Sequence, residues 1–336
     1  MRAIVPALTL SLSLILSPLT ARADMVDDIL DQQILPGMMS LASTASQLAQ
    51  VAQADCRAES PQLRQAFGAT FDAWVSVSHL RFGPSEADNR AFALAFWPDS
   101  RGKIPKELAK IIAEGEPSID QPSEFASYSI AARGLYALEF LLYDANLSTR
   151  GTPETRCRLT RAIAGDIAST ARAIQTDWYD NYAAQMRRPG DRYQTRTEIK
   201  QELFKALNTG FQITADMRLG RPLGSFDRPR PNRAEARRSG RSLHHVELSL
   251  RALQPLALAL SGDNQELAAR FQTAFSQTLT ATARLDDPTL AGVADPGSRF
   301  RIEALQQQVN DLRSLAETDL GPSLGVDPGF NSLDGD

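Results

Sequence analysis

Glu139 is the residue whose surroundings most plainly demand an explanation. It sits within the run LYALEFLLY (135–143), where almost every neighbour is apolar. A carboxylate in such a run must find a partner or keep its proton at a raised pKa. Tyr136 lies three residues before it and Arg133 three before that, so a helix over 123–144 would put all three polar groups on one face. Apolar residues at Phe125, Tyr128, Ala132, Leu135, Leu138 and Leu142 predict that helix, with Ser123 as N-cap behind Pro122. A phenolic oxygen and a carboxylate are hard ligands. They suit ferric iron better than zinc, and a phenol ionises readily only beside such a cation. The structural alternative is a buried carboxylate satisfied by an arginine from a neighbouring helix.

Three further groups have suggestive spacing. Asp88, Asn89 and Arg90 stand next to Phe92 and Trp97, a mixture that fits either a pocket lining or a plain connector between Gly83-Pro84 and Pro98. Arg233, Arg237 and Arg241 recur every four residues on a helix expected to start at Asn232. They form an anion clamp or a solvated stripe. His244 and Glu247, three apart, are half of a metal site or an ordinary helix face. The chain has three histidines, His79, His244 and His245, and no HExxH, no GxSxG and no glycine-rich phosphate loop between a strand and a helix.

The elements that must position these residues begin after an export signal. Met1-Arg2, an apolar stretch over 4–18 and Ala21-Arg22-Ala23 read as a signal peptide cleaved near Ala23. No cysteine follows the cleavage point, so a soluble periplasmic protein without a lipid or transmembrane anchor is expected. Losing Arg2 and Arg22 moves the net charge from −4 to −6, a poor match to nucleic acid. In an oxidising compartment Cys56 and Cys157 are expected to pair. The closed loop of about 100 residues corresponds to roughly 4–5 kcal/mol of chain entropy.

Helical periodicity recurs along the whole chain and β-branched alternation is nearly absent. Pro36-Gly37 is expected to break or kink the first helix, and Pro255 to end or kink a later one. The charged turn Arg187–Asp191 is the best boundary between domains. The reading is an all-α protein of helical bundles, with a signal peptide at 1–23 and domains at 24–188 and 189–336.

Four segments together, GPSEADNRAFALAFWPD, RGLYALEFLLYD, RPNRAEARRSGRSL and the closing GFNSLDGD, resemble the imelysin-like proteins. The resemblance implies two four-helix-bundle-like domains related by internal duplication. It also implies an association with bacterial iron uptake, a proposed metallopeptidase activity, and a GxHxxE marker between the domains. Here the marker reads Gly134-Leu135-Tyr136-Ala137-Leu138-Glu139, with tyrosine at the histidine position. Zinc hydrolysis loses its nitrogen ligand, so binding of a metal ion, iron over zinc, or of a small organic ligand is expected in place of catalysis. Tyr136 and Glu139 are the expected metal ligands, and Asp88, Arg90, Trp97 and Arg241 the expected remainder of the ligand site. The alternatives are a metal-dependent peptidase and a metal-free helical module that docks on a periplasmic or outer-membrane partner.

Overall fold

The computed structural model describes residues 24–115 and 117–327. The expected signal peptide and the closing GFNSLDGD lie outside them. Nine helices of ten residues or more occur among the described residues: α1 (Leu35–Ala54), α2 (Pro61–Val77), α3 (Lys103–Glu114), α4 (Gly134–Tyr143), α5 (Pro153–Asp177), α6 (Arg196–Gln212), α7 (Ser242–Ser261), α8 (Gln265–Ala283) and α9 (Pro296–Leu315). The same residues contain no strand, only an isolated bridge between Ser225 and Arg228. The protein is all-α.

Local chemistry sets where these helices start. The side chains of Ser60, Thr152, Thr195, Asn264 and Asp295 accept from the backbone N–H groups of Leu63, Thr155, Glu198, Leu267 and Ser298. Each cap satisfies a donor that the helix itself cannot, and is worth about 1 kcal/mol. Pro36 does not break the chain of helical turns. A π-helical turn over Leu30–Ile34 precedes it and α1 continues through it. Pro255 likewise lies inside α7.

Packing closes the helices into two rings. In the first, α1 meets α2, α2 meets α4, α4 meets α5, and α5 returns to α1. In the second, α6, α7, α8 and α9 follow each other in the same cyclic order. Phe67, Phe71 and Trp178 fill the first core, and Phe204, Phe211, Phe271 and Phe275 the second. Most of the buried side chains on these helices are apolar, so burial supplies the drive at about 25 cal/mol per Å². Residues 188–195 carry the chain from one ring to the other. The rings touch along α2 and α7, where the Phe71 and His245 rings meet at 4.5 Å. Cys56 and Cys157 form a disulfide that ties the end of α1 to the start of α5, reinforcing the contact that closes the first ring.

The helix expected over 123–144 is broken in three. Pro122–Phe125 is a single turn, Ile130–Ala132 is 3₁₀, and α4 starts only at Gly134. Ser129 accepts from the Ala131 backbone N–H and so competes with helix formation. Gly134 then takes a φ of +75°, and a Cβ there would collide with the carbonyl oxygens of Ala93 and Leu94. Glycine is required because the chain before α4 presses against that backbone. Arg133 is therefore extended and not on the helix face of Tyr136 and Glu139.

His79 follows α2 and is almost fully buried near Arg218. Burial, then the Arg218 charge, push its pKa down to about 4. An imidazole neutral in the folded state and chargeable near pH 6.5 in the unfolded one gives stability that is complete above pH 6.5 and lost as pH falls toward 4. The wild type is expected to lose about 3 kcal/mol across that window through this group. Urea unfolding at several pH values should show a shallower slope in His79→Asn; equal slopes would refute the assignment.

Candidate functional site

The most developed cluster lies where the rings meet, and Tyr136 is part of it. Its hydroxyl donates to Glu235 Oε1. Glu235 Oε2 accepts from Arg218 Nε at 2.6 Å and from His245 Nδ1 at 3.1 Å. Arg218 Nη1 donates to Ser249 Oγ at 2.8 Å, and its Nη2 reaches Ser78 Oγ at 3.5 Å. Tyr136, Glu235, Arg218 and His245 are all at most 5% exposed, so the network joins both rings in a low-dielectric interior.

Three local devices deliver these groups. α6 widens into a π-helical stretch, Ile213–Leu219, which carries Arg218 inward; such turns occur often at functional sites. Glu235 belongs to the irregular strap 224–241. Ser242 Oγ pins that strap by donating to the Glu235 carbonyl at 2.6 Å. Tyr136 sits in the first turn of α4, fixed by the Gly134 contact.

Electrostatics assign the protons. Burial raises the Glu235 carboxyl, but Arg218 and His245 outweigh it and hold the group below the usual carboxylate range. Burial and the Glu235 charge keep the Tyr136 phenol well above its ordinary value, so it stays protonated and donates. Burial pushes His245 down against the pull of Glu235. The neutral ring then carries its proton on Nδ1, leaving Nε2 as a buried acceptor with no partner among the described residues.

Above this floor opens a cleft of about 210 Å³. Trp74, Phe92, Trp97 and Tyr136 supply aromatic surface, Ile213 and Met217 aliphatic surface, and Ser78, Thr209 and the Arg81–Glu86 ion pair polar groups. Trp97 stacks on Tyr136 with ring centroids 6.2 Å apart and planes 20° from parallel.

The residues anticipated from sequence divide. Tyr136 and Trp97 line the cleft. Glu139 is buried on α4 but turns to the strap, accepting from Ser239 N at 2.9 Å and Ser239 Oγ at 2.8 Å. Among the described residues no arginine hydrogen-bonds to it. Asp88 is 88% exposed and Arg90 turns to Asp177 at 2.5 Å. Arg241 pairs with Asp72, which also meets His244 Nε2 at 3.2 Å. Arg133 clamps Asp166 at 2.7 and 2.9 Å. The expected Arg233/Arg237/Arg241 helix stripe does not form, because 231–233 is 3₁₀ and α7 begins at Ser242, well past Asn232.

Those bonds also bear on metal binding. Tyr136 and Glu139 engage different partners, and among the described residues no three His, Cys, Asp or Glu side chains converge on a point that could hold an ion. With the Tyr136 phenol protonated and the Glu235 carboxylate taken by Arg218, the donor set does not fit a bare metal.

Sequence reasoning missed Glu235, Arg218 and Ser78. Glu235 was visible inside RPNRAEARRSGRSL as the single acid of a basic segment, a usable signal. Arg218 had none, because only the π-helical turn brings it inward.

For Glu139, burial raises the carboxyl pKa, opposed by the Ser239 donors and the Arg238 charge. A raised folded pKa gives stability present at low pH and lost as pH rises through it. Glu139→Gln keeps the acceptor and is expected to gain on the wild type as pH increases from 4 to 8. Thermal melts at matched pH test this, and a gap that shrinks with pH would contradict it.

Two four-membered helix rings meeting at an aromatic-walled cleft above a buried Tyr–Glu–Arg floor define a two-bundle, all-helical protein. The chain belongs to the imelysin family, whose model matches residues 34–316. Iron-regulated protein A of Synechococcus elongatus is 24% identical over 223 residues. That match takes in 63% of this chain and 57% of the relative, so this chain spans little more than half of the relative's length. Two crystal structures share the fold. An imelysin-like protein from Psychrobacter arcticum has a TM-score of 0.74 at 19% identity, covering 91% of this chain and 96% of its own. A protein described as an iron-regulated protein A precursor from Parabacteroides distasonis has a TM-score of 0.72 at 14% identity, covering 87% and 93%. No helix among the described residues is long and apolar enough to cross a membrane.

Proposed function

We propose that this chain is an exported periplasmic binding protein without catalytic activity, serving metal acquisition, iron foremost, by holding a small ligand between two domains, 24–188 and 189–336, that arose by duplication. The observation that carries the reading is the cleft whose floor is the Tyr136–Glu235–Arg218 network. Its donors and acceptors are arranged for recognition, and the motif position that would hold a nitrogen ligand holds a protonated phenol. The relatives named for iron regulation support the metal connection. Because the residues present do not fit a bare ion, the metal would arrive with, or depend on, an organic ligand. A periplasmic or outer-membrane protein would take the loaded form onward.

A deletion strain of the native host, complemented with wild type or with Ala95→Trp to fill the cleft, tests the reading. Radioactive iron uptake under iron limitation is expected to fall in the deletion, return with wild type and stay low with Ala95→Trp. Normal uptake in the deletion would reject the role in iron acquisition. Chelator-sensitive cleavage of an unfolded substrate by the purified chain would reject the non-catalytic part.

A further inference from the structure

The ionic bookkeeping of the cleft narrows what can bind there. Glu235 Oε2 is filled by Arg218 and His245, and Oε1 accepts from the Tyr136 hydroxyl. Glu86 is occupied by Arg81 at 2.6 Å. No carboxylate of the cleft is left over for a cationic ligand. Donors, by contrast, are in surplus. Arg218 has five N–H groups, and its Nη2 has only the long 3.5 Å contact to Ser78.

Beside the cleft, the guanidinium of Arg221 lies 5.7 Å from the centre of the Trp97 ring. Its Nε is buried without a partner, and neither Arg221 nor Arg233, whose charge it feels, has a carboxylate partner among the described residues. Buried donors without acceptors carry a cost that an incoming acceptor removes. The walls, meanwhile, are aromatic and partly covered, Trp97 by Tyr136 and Arg221 and Phe92 by Arg81 at 5.0 Å, so another ring would pack offset or edge-on against them. The volume of about 210 Å³ is below the roughly 300–1,000 Å³ of pockets for drug-sized ligands, so the occupant is about one ring in size.

We propose that the cleft binds a small planar carboxylate, aromatic and about one ring in size, with its ring against Trp97 and Phe92 and its negative oxygens toward Arg218 and the Arg221 side. This rests on the binding-protein reading above and names the ligand class for the same site. The planar guanidinium groups match the carboxylate plane, and the aromatic walls exclude water from the contact.

Titration of the purified chain with benzoate, benzamide and benzylammonium, followed by calorimetry and tryptophan fluorescence, tests the proposal without any variant. Saturable one-to-one binding of benzoate is expected, with benzamide about tenfold weaker and benzylammonium weaker still. Arg221→Gln is expected to weaken benzoate about tenfold while leaving benzamide unchanged, and Trp97→Ala to weaken both. No saturable benzoate binding, equal or tighter binding of benzamide or benzylammonium, or unchanged benzoate affinity in folded Arg221→Gln each overturns it. If Arg221→Gln does not fold, the wild-type series decides. The uptake experiment is separate: normal iron uptake with selective benzoate binding fails the acquisition role alone, and lost uptake without benzoate binding fails the ligand class alone.

Discussion

Glu235→Ala is expected to lower the unfolding free energy by about 3–5 kcal/mol at pH 7, the usual cost of orphaning one partner of a buried ion pair. Arg218 and Glu235 are 4% and 3% exposed, so neither can turn to water when its partner goes. The alanine leaves a guanidinium without its 2.6 Å acceptor, and removes the acceptor of the Tyr136 hydroxyl and the His245 Nδ1–H as well. Replacing both charges, as in Arg218→Met with Glu235→Leu, is expected to cost far less than the single change, because two apolar side chains leave no unpaired charge. Urea midpoints with constant m give the comparison. A single-variant loss under about 1 kcal/mol, or a double variant no better than the single, would mean that the pair is solvated in practice.

The pH dependence has a definite sign. The Glu235 carboxyl is held below its ordinary range, so its stabilisation is complete above the unfolded value of about 4.3 and drains away as pH falls below it. Wild type should therefore show an acid-side slope that Glu235→Ala lacks.

Breaking the Cys56–Cys157 disulfide is expected to cost a similar amount, about 4–5 kcal/mol from chain entropy. The two cysteines are 101 residues apart in sequence, and the bond confines α2, α3, α4 and the intervening turns in the unfolded chain. Against a typical total of about 5–15 kcal/mol, that is roughly a quarter of the stability or more. Cys56→Ser with Cys157→Ser, compared with wild type with and without reductant, measures it. Reduced wild type should match the double variant. A change below about 1 kcal/mol, or a mass showing two free thiols in the native protein, would refute the assignment.

Much of the fold was legible because helices announce themselves locally. The spacing of Leu63, Phe67, Phe71 and Trp74, or of Leu203, Leu207 and Phe211, needs no distant partner to be read, and caps such as Ser60 and Thr195 act within three residues. The failures had one local origin and one distant one. The 123–144 pattern is a good helix by period, but Ser129 and Gly134 break it. Gly134 is forced to positive φ by the backbone at Ala93 and Leu94, about forty residues earlier. At Pro36 and Pro255 the helical turns continue, so of the two outcomes expected there, a break or a kink, the break does not occur.

The sequence by itself determined that this is an all-helical chain, that its two cysteines could pair, and that Tyr136 and Glu139 on α4 would be polar groups in an apolar setting. Composition, period and residue count are enough for those statements. Only the tertiary structure decided what the two residues do. Tyr136 meets a glutamate 99 positions away and Glu139 a serine 100 positions away, and no periodicity encodes such pairings. The donor set, the proton positions and the cleft are properties of the contact between two rings. Glu139 took its partners from the strap, because the Ser239 backbone N–H and hydroxyl lie within hydrogen-bonding distance of its carboxylate.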